Sequence, residues 1–449
     1  MAMNLTRLTA FGAGIAVIAA TLVGTSVASQ AVPTAQSEGI ECEPGDQSSL
    51  HPSFSISTAT GHISMPDGNV LFSWGFKTDS HAFQLPGPIF CVQQGATVSI
   101  TLTNTLDEDT SLVFPGQSDV TANGNPSEPQ FGGDGQLTSL APTAAANGGQ
   151  VTYTFTAADP GTYLYESGTD PAKQVEMGLY GAIVVRPAGH PDQAYADIRT
   201  KFQPGREFIH ILAQVDPDLH LAVEQHKAFN WNNYSAKYFL LNGRSSPDTT
   251  SPNDASWLPS QPYGAMVHVK EQYQPDAPLV NGVNPTNGGD TLPALVRYIN
   301  VMPTDAAFHP HGNTERVIAE DGQPLDKTGQ PDSSYGKYLV DIGANRTVDA
   351  MFTWTNVENY NPITNPVPVP ISPYQDVLTS ASTWYSMSPY LGFQGELPAG
   401  VTSMNVCGEY YHMAHNHALQ FATNFGASFG GQMTLIRIDP AANQLCLAQ

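Results

Sequence analysis

An all-β chain, two β-sandwiches in series, is the fold expected from three observations. Charged residues make up only 13% of the 449 residues, while Gly (40) and Pro (36) are abundant, a composition of strands and turns rather than of amphipathic helices. Residues 96–104 read Ala-Thr-Val-Ser-Ile-Thr-Leu-Thr-Asn. They alternate strictly and are rich in β-branched side chains, as a half-buried strand requires. Two landmarks also recur in one order. Asn104 is followed nine to twelve residues on by Val113-Phe114-Pro115-Gly116, and Asn300 at the same offsets by His309-Pro310-His311-Gly312. Such repetition points to duplication of one β-domain, in keeping with a length that suits two or three domains.

Taken in order, residues 1–28 have the form of a secretory signal. Arg7 precedes an apolar run at 8–23, and Ser26-Val27-Ala28 offers small residues at a cleavage site, with Ser29-Gln30-Ala31 as the alternative. The run is short for a bilayer span and no basic stop-transfer cluster follows it. Export, secreted or periplasmic, with no membrane span after signal cleavage, is therefore expected. Residues 29–45 are a polar leader. A first domain, 46–186, contains expected strands at 96–104, 150–156 and 181–185. The Pro-, Gly- and Asp-bearing stretch 187–205 is the expected linker. A second domain, 206–449, contains expected strands at 206–215, 295–301, 346–354 and 431–438. It also has a short helix near 219–227 and a loop at 362–374 imposed by five prolines.

The net charge of −23, with basic residues scattered singly, excludes nucleic acid and anionic membrane surfaces as partners. An exported chain meets an oxidising compartment, so Cys42, Cys91, Cys407 and Cys446 are expected in disulfides. Four cysteines allow three connectivities. Cys42–Cys91 and Cys407–Cys446, each within one half, are favoured. The alternative for Cys407, five residues before His412, is a thiolate metal ligand.

The chemistry gathers in two short stretches. Five of the 13 histidines are His309 and His311, in Phe-His-Pro-His-Gly-Asn, and His412, His415 and His417, in Tyr-His-Met-Ala-His-Asn-His. In an extended strand residues two apart share a face, so each His-x-His pair projects together. Two such pairs brought face to face make an imidazole pocket suited to copper, zinc, iron or nickel. His210, in an apolar strand, reads instead as a core residue.

The chain resembles the multicopper oxidases, built from cupredoxin-like Greek-key domains, over roughly residues 86–440. Pro86-Gly-Pro88, Val92-Gln-Gln-Gly95-Ala-Thr-Val and Thr103-Asn104-Thr-Leu106 resemble that family's opening domain. Gly161-Thr-Tyr-Leu-Tyr165 and Gly178-Leu-Tyr-Gly181-Ala-Ile-Val-Val resemble the end of it, and His309-Pro-His311-Gly312 with Asp321-Gly322-Gln-Pro324 a later domain. The ligand motifs depart from the pattern. The family's His-Trp-His-Gly is Val113-Phe114-Pro115-Gly116, and its His-Ser-His is Glu166-Ser167-Gly168. The type 1 copper histidine three residues before His309 is Ala306. The His-Cys-His motif is best matched by His415-Asn416-His417, so Asn416 stands where the thiolate belongs. A blue copper site needs that thiolate, and a complete oxygen-reducing cluster needs eight histidines of which four match.

The resemblance therefore implies an exported multicopper-oxidase-like protein binding copper, one or two ions, in its second domain through His309, His311, His415 and His417. His412 is a further candidate ligand. Glu166, a carboxylate in a family ligand's place, would harden a site toward zinc, manganese or iron. The expected activity is that of an oxidoreductase without a blue centre, acting on a small molecule or metal ion. The alternative is a non-catalytic scaffold or a copper buffer. A homo-oligomer, a trimer, is implied by two-domain relatives, although every copy carries the same Val113, Pro115, Glu166 and Gly168. Only a hetero-partner would restore the lost histidines.

Overall fold

The computed structural model describes residues 39–43, 49–272, 292–325, 327, 329–355, 383–385 and 410–439, all within one compact unit spanning Ala35–Gln449. The apolar run 8–23, the proline-rich stretch 362–374, Cys407 and Cys446 lie outside the described residues.

Two pairs of sheets account for nearly all of the fold. In the first, Ser53–Ser64 runs parallel to Thr97–Asn104, which pairs antiparallel with Gly149–Thr156. Facing this sheet, Gly161–Glu166 pairs antiparallel with Tyr180–Arg186, which runs parallel to Ile89–Gln93. The second pair repeats this wiring. Glu207–Val215 runs parallel to Ala294–Asn300, which pairs antiparallel with Thr347–Phe352. Tyr410–Asn416 pairs antiparallel with Met433–Asp439, which runs parallel to Val267–Gln272. The chain is thus all-β, two cupredoxin-like sandwiches in series.

Side-chain patterning explains which strands sit where. Thr97–Asn104 and Gly149–Thr156 alternate buried Val98, Ile100, Leu102, Val151, Tyr153 and Phe155 with half-exposed polar residues, the signature of a sheet wet on one side. Gly161–Glu166 and Glu207–Val215 are buried at every position. They are middle layers. Leu164, Ala182 and Val184 from the first sandwich share one apolar cluster with Ile209, Ile211 and Val215 from the second. The stretch 187–205 is also packed, with Ala194, Tyr195 and Phe202 buried against Leu295, Ile318 and Met351. The helix runs Pro217–Glu224, starting earlier than its apolar residues suggest. Asp216 caps it by accepting from the Asp218 and Leu219 N–H groups, and Pro217 occupies its first turn. Cys42 and Cys91 are disulfide-bonded with Cα atoms 5.6 Å apart, tying the leader to Ile89–Gln93. Among the described residues no helix is long and apolar enough to cross a membrane.

A buried ion network joins the two sandwiches. Arg297, fully buried, donates to Glu207 at 2.7 Å, to Asp349 at 3.3 Å and to the Thr162 hydroxyl of the first sandwich at 2.9 Å. Thr162 and Tyr195 donate in turn to Asp349 at 2.5 and 2.6 Å. Arg186 reaches the other oxygen of Glu207 at 2.6 Å. Burial alone would raise the Glu207 carboxyl. The charges of Arg297 and Arg186 and their hydrogen bonds outweigh it and hold the carboxyl below its ordinary value.

Removing Arg297 takes its cation from two buried carboxylates, leaving Glu207 with Arg186 and Asp349 with the Thr162 and Tyr195 hydroxyls, so Arg297→Met is expected to destabilise by about 3 kcal/mol, read from urea unfolding. Because the Glu207 pKa is lowered on folding, its stabilisation is present above the unfolded value and is lost as pH falls through the folded one. The acid limb of a Tm-against-pH curve should therefore be shallower in Glu207→Gln than in wild type.

Candidate metal centre

The centre is made by two neighbouring strands of the second sandwich. Ala306–Pro310 pairs antiparallel with Tyr410–Asn416, and His309 lies directly opposite His415. Beyond the ladder the His311 N–H still donates to the Met413 carbonyl at 2.9 Å, and the His417 N–H to the Ala307 carbonyl at 2.7 Å. The pleat does the rest. Phe308 and Ala414 point inward and join the apolar core, so His309, His311, His415 and His417 project together from the outer face.

Their rings form one cluster. Centroids are 4.6 Å apart for His309–His311, 5.0 Å for His311–His415, 5.3 Å for His309–His417, 5.5 Å for His415–His417 and 5.8 Å for His309–His415. The Nδ1 of His415 is 2.9 Å from the Asn416 carbonyl, and that of His309 contacts the Tyr338 carbonyl. A carbonyl can only accept, so each Nδ1 carries a proton, and in the neutral ring that tautomer leaves the lone pair on Nε2. His311 Nε2 and His415 Nε2 lie 3.0 Å apart, a hydrogen bond between neutral rings. Burial, then the neighbouring His309, His415 and His417, push His311 down to about 4. Burial also lowers His415, against the hydrogen bond to the Asn416 carbonyl and with His309 and His417 adding to it. For His311 and His415 the lowered values favour the neutral ring, the form that ligation requires. Three of these ring pairs meet edge to face, His309–His311 is tilted and His415–His417 is stacked, and among the described residues no three His, Cys, Asp or Glu groups already converge on a single point for a metal ion.

The other candidates sit elsewhere. His412 is three residues from His415, so the pleat turns it to the inner face. There its ring packs on Trp354 at 4.2 Å. The two rings close over Gly312, where a Cβ would lie 2.6 Å from Trp354 and 2.9 Å from His412, and whose φ of +85° suits glycine. Glu166 belongs to the first sandwich. It accepts from Asn345 Nδ2 at 2.8 Å, and burial raises its pKa against that hydrogen bond. Its backbone bridges Val113, so Val113 opposite Glu166 is the first-sandwich counterpart of His309 opposite His415. The register thus sets Val113 and Glu166 at the places that His309 and His415 hold in the second sandwich. His210 is a core residue, with Nε2 2.8 Å from the Ala265 carbonyl and its pKa pushed down by burial to about 4.

Asn416, where the resemblance expects a thiolate, is fully buried and its amide is hydrogen-bonded at both ends. Nδ2 donates to Gln432 at 2.8 Å, while Oδ1 accepts from the Ala418 and Ala307 N–H groups at 3.0 and 3.3 Å. It locks the two histidine strands together. The Tyr338 carbonyl that orients His309, and Trp354 beneath Gly312, leave no spacing signal in the sequence.

Residues 80–190 match the family model described as multicopper oxidase. Over 86–87% of its length the chain superposes on the multicopper oxidase mgLAC, with a TM-score of 0.55, and on the blue copper oxidase of Nitrosomonas europaea, with 0.53. Each is 18% identical and 86% covered. A probable nitrite reductase–hydroxylamine oxidoreductase fusion protein of Kuenenia stuttgartiensis is 24% identical over 245 residues. These are 52% of this chain but 24% of that protein, so the chain spans about a quarter of that relative's length.

Asn416→Ala leaves the Gln432 carbonyl oxygen and two backbone N–H groups without their partner. It is expected to cost about 1–3 kcal/mol in urea unfolding.

Proposed function

We propose that the chain, whose residues 80–190 match the multicopper oxidase family model, is an exported copper-binding protein of that kind. His309, His311, His415 and His417 of the second domain would hold one ion or a close pair. The observation that carries this reading is the cross-strand pairing of His309 with His415, which brings two His-x-His pairs onto one face. The donor set fits copper. It consists of imidazoles, and Glu166, the carboxylate that would favour manganese or iron, has Asn345 as its partner. Imidazole χ2 torsions are broad, so small ring rotations suffice to turn the Nε2 atoms inward.

Copper held there would supply one-electron redox chemistry and Lewis acidity. The chain's own residues would do the following. The Tyr338 and Asn416 carbonyls hold His309 and His415 in the tautomer that presents Nε2. Burial of His415 keeps water from one side. His417, exposed to solvent, marks the open edge where a small molecule or metal ion would approach. Asn416 supplies no thiolate, so electron entry through a blue centre is not part of this reading. The same proposal includes a cleaved signal at 1–28, domains at 46–186 and 206–449 joined by 187–205, and a homotrimer.

A second reading, an extracytoplasmic scaffold or a copper buffer without turnover, is favoured by the loss of both first-domain ligand pairs. Oxygen uptake with phenols or reduced metal ions by the copper-loaded protein separates the two. For copper binding itself, His309→Ala with His415→Ala is expected to abolish stoichiometric copper uptake, measured by elemental analysis. Undiminished copper in that folded double variant rejects the site.

A further inference from the structure

The outer face that carries the histidines also carries sulfur. Strand register places Met433 directly opposite His415, and Met413 directly opposite Leu435. The His311 N–H to Met413 carbonyl bond continues the other ladder by one residue, so Met413 also faces His311 across the strands. Two rows result, His309–His415–Met433 and His311–Met413–Leu435. Residues directly opposite in antiparallel strands have Cβ atoms about 4.5–5.5 Å apart. Each thioether thus borders an imidazole of the cluster.

The first sandwich serves as an internal control. Its strands pair Glu166 with Tyr180 and Leu164 with Ala182. Matching Glu166 to His415 puts Tyr180 at the Met433 position and Leu164 at the Met413 position. The copy that lacks the histidines lacks both sulfurs, although the same backbone accepts other residues there.

We propose that Met413 and Met433 extend the histidine cluster into a mixed thioether–imidazole site that selects Cu(I). Thioether is a soft ligand and favours Cu(I), whereas imidazole alone serves Cu(II) and Zn(II) as well. This inference rests on the copper reading of the histidines and adds the oxidation state that the site retains. Zinc, for which thioether is a poor donor, gains nothing from the two methionines.

The test uses the full exported chain, titrated with Cu(I) under anaerobic conditions against a chromophoric Cu(I) chelator, and separately with Cu(II). The variant is Met413→Leu with Met433→Leu. Leu is close in volume to Met, and Leu164 shows that the fold takes it at the matched position. The double variant is expected to lose Cu(I) affinity by at least about tenfold, the loss that even an outer-shell partner causes, and to keep its Cu(II) stoichiometry. Sulfur scattering in the X-ray absorption spectrum of the Cu(I) protein should vanish with it. Unchanged Cu(I) affinity, or a wild-type spectrum with nitrogen scattering only, overturns the thioether assignment and leaves the histidine site standing. A wild-type protein that takes up neither Cu(I) nor Cu(II) overturns the histidine reading and this inference together.

Discussion

The proposed metal chemistry depends on one register, the antiparallel pairing of Ala306–Pro310 with Tyr410–Asn416. Side chains alternate faces along a strand, so a slip of one residue would turn a strand's histidines into the core and its apolar set outward. Such a slip is opposed on the inner side. Phe308 packs against His210 and Tyr298 at 5.3 and 5.4 Å. Asn416 holds both strand ends by hydrogen bonds to Ala307 and Ala418. The residues that fix the site therefore lie on the opposite face from the residues that form it.

Duplication makes the chain its own comparison. The same parallel–antiparallel wiring occurs twice, yet only the second copy carries the four clustered imidazoles. In the first, Val113 and Glu166 stand at the places of His309 and His415, and the space is closed. A Cβ at Gly168 would lie 2.6 Å from Val113 and 3.0 Å from Ser111. The backbone was kept and the chemistry was not, because a fold holds positions while function resides in the side chains placed on them. The first copy has a mechanical role instead. Its Thr162 takes a hydrogen bond from Arg297 and gives one to Asp349, and Leu164 and Val184 share a core with Ile209 and Ile211.

Much of the site was legible because alternation is a local rule. The two His-x-His pairs and the strands at 96–104, 150–156 and 206–215 follow from period two alone. The offset from Asn104 to Val113 and from Asn300 to His309 survives as matched register. What stayed hidden is tertiary. Nothing near 187–205 marks it as packed, since Tyr195 and Phe202 find their apolar surface on strands far away in the sequence. His412 looks like a ligand by proximity, yet strand parity sends it to Trp354 on the inner face. Glu166 sits at a family ligand position, but its carboxylate accepts from Asn345 of the second sandwich. The Tyr338 carbonyl, which sets the tautomer of His309, is a backbone atom and has no sequence signature.

The most direct test of the central claim is anomalous diffraction at the copper edge from crystals of the copper-loaded protein. A single peak, or a close pair, among the rings of His309, His311, His415 and His417 is the expected result. A copper peak elsewhere, or none among those four rings at full loading, contradicts the account.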